Sequence, residues 1–219
     1  VEELKIKFKS LRKSYKGLEE YSPIEFVTGR VKKISSIIEK LDRRDMPIDK
    51  AAELEDIAGI RIMCQLVDDI STVVDLIRSR NGKDLEIVEE RDYTKNTKDS
   101  GYRSYHIIIK YWVYSSVGEN EILAEIQIRT LAMNFWATIE HSINYKFDKN
   151  IPENIVERLK NAAEAAFHLD MEMSQIKDEI IDSQKLFMAE SALTEKILYK
   201  IHTLYLNSNY KNVDLLRKD

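Results

Sequence analysis

Hydrophobic positions recur with two different periods along this chain, and the changes of period predict its elements. Residues 1–45 have helical spacing, which is interrupted near Gly17 and the segment YSPIEF. The second predicted helix, VTGRVKKISSIIEKLDRR, carries apolar residues three or four positions apart, namely Val31, Ile34, Ile37, Ile38 and Leu41. We therefore expect residues 1–45 to form two helices.

The middle of the chain has the shorter period of a sheet. Apolar or alternating runs predict four strands, and a helix opening at Asp68 or Asp69 separates the first two. The strands are IAGIRIMCQL, LEIVEE, YRSYHIIIKYWVY and EILAEIQIR, the helix is DDISTVVDLIRSR, and a polar loop is RDYTKNTKDSG. Strands, a helix and a hairpin together predict an α/β (α+β) domain.

The pattern returns to helix at Leu131 and stays helical to the end. LAMNFWATIEHSINYK is one predicted helix, and the next begins near Pro152, an allowed first-turn position. Along this helix, apolar residues recur at alternating spacings of four and three over four heptads, as in the contact seam of a coiled coil. The residues of this seam are Ile155, Leu159, Ala162, Ala166, Leu169, Met173, Ile176 and Ile180. Such a seam needs a partner helix, either ESALTEKILYKIHTLYL of the same chain or a neighbouring subunit. We expect an α/β domain over residues 1–150 and a helical arm over residues 151–219.

Composition narrows the classes of protein to consider. The 219 residues are 43% hydrophobic, and 34 basic against 38 acidic residues give a net charge of −4. This balance argues against a protein coated in nucleic acid, although it allows a local basic pocket. One cysteine excludes an internal disulfide, and no apolar run approaches membrane-spanning length. The composition favours a cytoplasmic protein with no membrane partner.

Three polar groups alternate with apolar residues in EILAEIQIR. Because strand side chains alternate faces, Glu125, Gln127 and Arg129 are expected in a row opposite the core residues Ile122, Ala124, Ile126 and Ile128. Such a row can hold a metal, a base or ribose, and a phosphate. The alternative is an ordinary half-exposed edge strand, which alternation alone favours.

Two further segments place charges beside apolar runs. In EDIAGIRI, Asp56 precedes a buried strand and Arg61 lies inside it, so Arg61 needs a partner or solvent. The pattern fits either a structural pair with Asp56 or Glu55, or a carboxylate for Mg²⁺ with a cation near phosphates. In TGRVKKISS, Gly29 precedes basic residues in the first turns of the predicted helix, where anions are favoured, although surface cations on helices are commonplace.

The segment KDSGYRSYH, residues 98–106, concentrates aromatic and cationic groups after a glycine. A tyrosine face such as that of Tyr102 can stack on a base. His106 alone is compatible with an ordinary strand histidine. The four histidines and one cysteine show no zinc-ligand spacing, and there is no Walker phosphate loop or G-x-S-x-G elbow.

In order, the segments GR.K...S, DIAGIR, KDSGYRSYH, AEIQIRT and MNFWATIEHSINYK resemble the synthetase domain of the Rel/SpoT family. Over roughly residues 20–185, the chain is similar to the single-domain small alarmone synthetases of the RelQ type. The resemblance implies a mixed sheet flanked by helices. It also implies a GTP pyrophosphokinase that transfers pyrophosphate from ATP to the 3′-hydroxyl of GTP or GDP, giving AMP and (p)ppGpp in the stringent response.

Site roles follow from the resemblance position by position. On the ATP side, Arg30 and Arg61 would sandwich the adenine, and the phosphate side would be lined by Lys32, Ser36 and Lys40. Asp56 would bind Mg²⁺, and Glu125 would complete the metal site or take the proton of the 3′-hydroxyl. The acceptor nucleotide would be held by Lys98, Tyr102, His106, Gln127 and Asn134, with Tyr102 stacked on guanine.

The resemblance also implies partners and regulation. Small alarmone synthetases assemble as homotetramers, and some are activated by pppGpp in a cleft between subunits. Phe26 and Thr28 are the allosteric candidates here, with a core role for Phe26 as the alternative. RNA is a further candidate partner that no motif indicates.

This sequence departs from the longer members of the family, and the departures limit which of their properties the resemblance implies for this chain. No histidine is followed by aspartate, so the hydrolase metal pair is missing from this sequence and a synthesis-only enzyme is implied. The acceptor-preference motif falls on EERD, residues 89–92, whose mixed signs do not choose between GDP and GTP. The competing functions are a catalytically silent nucleotide- or RNA-binding module and a Mg²⁺-dependent nuclease or nucleotidyltransferase.

Overall fold

The computed structural model describes residues 1–18, 21–115, 118–147 and 151–215. The helices are α1 (Glu2–Gly17), α2 (Ile34–Arg43), α3 (Val67–Arg78), α4 (Leu131–Lys146) and α5 (Glu153–Leu215), with a 3₁₀ turn at Ile48–Glu53. The strands are β1 (Phe26–Val31), β2 (Ala58–Cys64), β3 (Glu86–Asp92), β4 (Tyr105–Ser115) and β5 (Gly118–Thr130). The predicted turn at residues 116 and 117 lies outside the described residues.

Within the described part of the chain, five strands form one mixed sheet in the order β1-β2-β5-β4-β3. β2 and β5 are parallel, and the other neighbours are antiparallel. The expected mixed sheet flanked by helices is therefore confirmed. The edge-strand interpretation of EILAEIQIR is wrong, because β5 lies at the centre of the sheet, between β2 and β4.

One face of the sheet forms the hydrophobic core with α1 and α3. Ile126 and Ile128 of β5 are fully buried on this face, as their alternation predicts. Helix α1 contributes Leu4 and Phe8 to the same cluster. Since α1 and α3 cover this face, the alternating polar residues are directed to the other one.

The N-terminal prediction is wrong over residues 26–31, which form β1 rather than the start of a helix. The helical period of Val31, Ile34 and Leu41 extends into this segment and obscured it. Its β-branched residues instead pair antiparallel with β2, and α2 begins only at Ile34. A Cβ at Gly29 would lie 2.9 Å from Ile60 Cδ1, so glycine permits the close packing of β1 here.

The C-terminal helix is continuous over Glu153–Leu215. Residues 190–206, the candidate partner for the seam within the chain, belong to the same helix and not to a second one. The chain separates into two compact units, Val1–Ser174 and Gln175–Asp219, so the first turns of α5 belong to the first unit. Among the described residues, no helix has the length and apolar character required to cross a bilayer.

Candidate active site

The face of the sheet opposite the core carries the polar residues singled out in the sequence. In the parallel register, Gly59 lies beside Glu125, and Arg61 lies beside Gln127. On the other side of β5, His106 is opposite Gln127. These neighbouring strands therefore bring together side chains that are up to 66 positions apart in the chain.

Asp56 lies just before β2 and binds two lysines. Lys32 Nζ donates a 2.7 Å hydrogen bond to Asp56 Oδ2, and Lys40 Nζ lies 2.8 Å from Oδ1. Burial opposes ionisation of Asp56, but the two ammonium groups outweigh it and hold its pKa below the usual value. Oδ1 is buried and has no aligned hydrogen bond despite the ion pair with Lys40. The carboxylate is ionised, and each of its oxygens faces an ammonium group.

Glu125 is the second carboxylate on this face. Its Oε1 lies 2.9 Å from His106 Nδ1, and its Oε2 accepts a 2.7 Å hydrogen bond from Gln127 Nε2. Burial and the charge of Asp56 raise the pKa of Glu125, whereas His106 and Gln127 lower it, and the net pKa is below the usual value. Because the charge of Asp56 affects Glu125, the two acids belong to one electrostatic site.

A hydrogen-bonded chain links Glu125 to the loop before β4. Arg129 Nη2 donates to the Tyr102 hydroxyl at 2.6 Å, and this hydroxyl lies 2.7 Å from His106 Nε2. The two ring nitrogens of His106 thus face the Tyr102 hydroxyl and the Glu125 carboxylate, respectively. Burial raises the pKa of Tyr102, so the hydroxyl keeps its proton. Tyr102 and His106 thereby fix the orientation of Glu125.

The loop also forms a small aromatic cluster around a cation. Lys98 Nζ lies 4.5 Å from the centroid of the Tyr93 ring and 5.0 Å from that of Tyr102. Tyr93 makes edge contacts with both Tyr102 and His106. Sequence reasoning missed Tyr93, because nothing in the polar loop distinguished it from other loop residues.

Arg61 does not form the structural pair considered from the sequence. Asp56 pairs with the lysines and Glu55 pairs with Arg91, while Arg61 Nε donates to Gln127 Oε1 at 3.3 Å. Burial, Arg129 and Arg30 lower the pKa of Arg61 in that order, so cations crowd together here. Crowded cations on this face favour an anion or an electron-rich ring as the ligand.

The other predicted residues lie on elements around these two clusters. Phe26, Thr28 and Arg30 alternate along β1 on the face that carries Arg61. Ser36 is half-buried on α2, not on a helix start next to Gly29 as predicted. Asn134 lies on α4, and its Oδ1 is buried without a hydrogen-bond partner, so a ligand could satisfy it.

Comparison with known proteins connects this arrangement to characterised relatives. Residues 29–150 match the family described as "Region found in RelA / SpoT proteins". The chain is 51% identical to the GTP pyrophosphokinase YjbM of Bacillus subtilis over 196 residues, covering 90% of this chain and 92% of the relative. It is 40% identical to the GTP pyrophosphokinase YwaC of the same organism, covering 81% and 85%.

Solved structures agree with the sequence comparisons. The B. subtilis small alarmone synthetase 1 bound to its product pppGpp has a TM-score of 0.78 and 53% identity, covering 82% of this chain and 92% of that one. The same synthetase bound to AMPCPP has a TM-score of 0.72 and 49% identity, covering 83% and 92%. These two structures contain the product and an ATP analogue, respectively.

Proposed function

Because the chain belongs to the RelA/SpoT family, we propose that it is a GTP pyrophosphokinase that makes (p)ppGpp from ATP and GTP or GDP. The observation that carries this proposal is the pair of ionised carboxylates, Asp56 and Glu125, on a sheet face bordered by cations. A polyphosphate donor requires the cations, and a metal-assisted transfer to a hydroxyl requires the acids. The relatives named above carry the same activity in their names.

ATP is assigned to the β1, β2 and α2 side of the site. Arg30 and Arg61 would stack on the adenine, and the crowding that lowers the pKa of Arg61 would be relieved by an electron-rich ring between the guanidiniums. Lys32 and Lys40 would turn toward the phosphates, which compete with Asp56 for their ammonium groups. Ser36 would add a hydroxyl from the first turns of α2.

The guanine nucleotide is assigned to the side of the KDSGYRSYH loop. Tyr102 offers a ring for stacking on guanine, and Lys98 places a cation nearby for a phosphate. Gln127 and His106 flank Glu125, where the ribose would present its 3′-hydroxyl. The unpartnered Asn134 Oδ1 would accept a hydrogen bond from the base.

Asp56 and Glu125 fit a Mg²⁺ ion. Mg²⁺ in phosphotransfer enzymes is held by one or two carboxylates together with substrate phosphates. Both oxygens of Asp56 already face a cation, Lys32 Nζ at 2.7 Å and Lys40 Nζ at 2.8 Å, so this ionised carboxylate would suit Mg²⁺ once the lysines turn toward the phosphates. Within the described residues no cluster of three ligating side chains occurs, so the phosphates would supply the other ligands. When bound, Mg²⁺ would neutralise charge on the reacting phosphates.

The proposed reaction forms one bond and breaks one. The guanosine 3′-oxygen bonds to the β-phosphorus of ATP, the bond from that phosphorus to the α,β-bridging oxygen breaks, and AMP leaves. The hydroxyl proton passes toward Glu125, held by His106 and Gln127. Because a carboxylate of lowered pKa is a weak base, alignment and charge neutralisation are expected to contribute more than proton abstraction.

Nucleotide separation after incubation with ATP, GTP and Mg²⁺ tests this function. We expect AMP and a guanosine pentaphosphate in equal amounts. Binding of both nucleotides without conversion would favour a silent module, and cleavage of added RNA would favour a nuclease. Replacing GTP by GDP in the same assay determines the acceptor preference. The mixed charges of residues 89–92 do not predict this preference.

We also propose that the chain forms a homo-oligomer, most simply a tetramer, through α5. The seam residues Leu169, Met173, Ile176 and Ile180 are 57%, 47%, 40% and 53% exposed, a large apolar surface for one helix.

The double substitution Leu169→Glu/Met173→Glu is expected to give smaller particles in light scattering, because like charges would be buried at the seam. Glu172→Lys/Gln175→Glu, at exposed positions outside the seam, is the control. A wild-type protein that is monomeric at micromolar concentration would contradict the proposal.

Product activation through β1 is a further proposal for this site. Phe26 is 39% exposed, so the core role considered for it is wrong, and it shares a strand face with Thr28 and Arg30. A ligand that orders β1 through Phe26 would reduce the cost of ordering Arg30 for ATP.

We expect pppGpp to raise the initial rate and to shorten any lag in synthesis. Phe26→Ala should remove this response and leave the unstimulated rate within about twofold, since Phe26 is remote from the carboxylates in the strand register. Val31→Ala, at the other exposed end of β1, is the control. A linear time course that pppGpp does not change would exclude product activation.

A further inference from the structure

The residue that follows Tyr102 points away from the site and connects its loop to α5. Arg103 is buried, and its Nη2 donates to both carboxylate oxygens of Glu164 at 2.9 and 3.0 Å. Its Cζ lies 4.3 Å from the centroid of the Phe167 ring. Both partners belong to the part of α5 that lies within the first compact unit. Arg103 thus contacts α5 directly, while the hydroxyl of the preceding Tyr102 is directed to Arg129 and His106 on the sheet.

The backbone of the same loop lies directly against α5. Gly101 has φ of 87°, and a Cβ added there would lie 2.6 Å from Ala163 Cβ, so only glycine fits both the backbone conformation and the space. Trp136 of α4 donates from Nε1 to the Leu159 carbonyl at 2.8 Å, and packs in one cluster with Ala163 and Tyr102. The position of the Tyr102 ring therefore depends on α5 as well as on the sheet.

None of these contacts reaches the carboxylates or the lysines of the donor side. Arg103, Glu164 and Phe167 all lie on the acceptor side, behind the loop. A buried Arg would not be needed merely to fill space, because its Nε is left without a hydrogen-bond partner. The charge-assisted contact of Nη2 with both Glu164 oxygens instead holds the loop against the helix.

We propose that Arg103 and Glu164 are positioning residues for the guanine nucleotide, holding Tyr102 in its binding orientation by fastening the loop to α5. This inference rests on the proposed assignment of Tyr102 to the acceptor. It makes the helix that bears the oligomerisation seam a structural part of the acceptor site. The contact acts by pre-organisation: without it, the loop must be ordered when the nucleotide binds.

Separate KM values for ATP and GTP test this role, together with calorimetric binding of GDP and thermal unfolding. Arg103→Ala should raise the KM for GTP about tenfold while the KM for ATP changes less than about twofold. Glu164→Ala, at a carboxylate whose side chain is 43% exposed, should raise the KM for GTP about fivefold without loss of folding. The double variant should resemble Arg103→Ala alone, because both substitutions break one contact. Arg103→Lys should recover part of the loss.

Arg78→Ala is the control, because Arg78 also pairs with a carboxylate, that of Glu90, but outside the loop. It should leave both KM values unchanged. Equal increases for both nucleotides, or none in folded Arg103→Ala, would overturn the proposal. If Arg103→Ala fails to fold, Glu164→Ala and Arg103→Lys test the proposal instead, again by whether the KM for GTP rises more than the KM for ATP. An acceptor defect in Tyr102→Ala without one in these variants overturns the positioning role alone, whereas no defect in any of them overturns the guanine assignment as well.

Discussion

Asp56→Ala and Glu125→Ala are each expected to lower kcat by about 10³-fold or more, while the protein remains folded. Each removes one of the two acids proposed to hold Mg²⁺. Asp56→Ala should also lower the stability, because Lys32 and Lys40, whose side chains are only 19% and 12% exposed, lose their partner. Steady-state rates with Mg²⁺ as the only divalent metal, together with thermal unfolding, provide the measurement.

The chain contains a matched control for Asp56. Asp84 is also bracketed by two cations, Lys7 at 2.8 Å and Arg80, and its pKa is also lowered against the effect of burial. It has the same electrostatic character, but it precedes β3 and pairs with α1. Asp84→Ala should therefore reduce stability modestly and leave kcat within about twofold. Near-wild-type turnover in Asp56→Ala or Glu125→Ala would remove that residue from the proposed site.

The conservative variants separate the two roles proposed for Glu125. Glu125→Gln keeps the size and the contact with Gln127 but removes the charge that His106 and a metal require. If charge neutralisation dominates, raising the Mg²⁺ concentration should restore part of the Glu125→Asp activity and none of the Glu125→Gln activity. Equal activity of Glu125→Gln and wild type would exclude both the metal and the base roles.

The local pattern of apolar and polar residues was sufficient to predict the elements that bury one face against the core. The alternation in β5 and the helical spacing in α3 and α4 predicted these elements, because each of them packs against the core on one side. β1 was missed because its six residues, FVTGRV, run directly into a helical period. Only its pairing with β2, a tertiary contact, distinguishes it as a strand.

The length of α5 was recoverable from the sequence but was not predicted. Residues 153–219 contain no Gly or Pro, so nothing in them signals a break between the seam and the last helical segment. The spacing of apolar residues alone suggested two helices that pack together. Absence of break signals over this distance is the better indicator of one long helix.

The candidate site, like the fold, could be predicted from the sequence only in part. The ordered motifs identified the family and its activity, which the comparisons confirm. The motifs did not give the contacts, because these join residues distant in the sequence: Asp56 with Lys32 and Lys40, and Tyr102 with Arg129. The same reason explains why the contact from Arg103 to Glu164, 61 positions apart, had no signal in the sequence.

Tyr102→Ala is expected to weaken use of the guanine nucleotide about tenfold to a hundredfold, since a stacked base contributes about 1–3 kcal/mol. The KM for ATP should change little, because the residues proposed to bind ATP lie on β1, β2 and α2. The structure adds a second consequence. The hydroxyl of Tyr102 receives a hydrogen bond from Arg129 and lies 2.7 Å from His106 Nε2, so its loss also frees the histidine that orients Glu125.

Tyr102→Phe separates these two effects. The ring remains, so the KM for GTP should rise only slightly, whereas kcat should fall several-fold because His106 loses its partner. Tyr105→Phe is the control: its hydroxyl also accepts a hydrogen bond from an arginine, Arg78, and donates to Glu90, but it lies outside the proposed site. It should change neither KM nor kcat.

Initial rates with one nucleotide saturating and the other varied give the measurement for all three tyrosine variants. Equal effects of Tyr102→Ala on both nucleotides would place the ring outside the acceptor site. A kcat in Tyr102→Phe equal to that of the wild type would show that His106 needs no fixed orientation. In that case Gln127, whose amide donates to the other oxygen of the carboxylate at 2.7 Å, would be sufficient to hold Glu125.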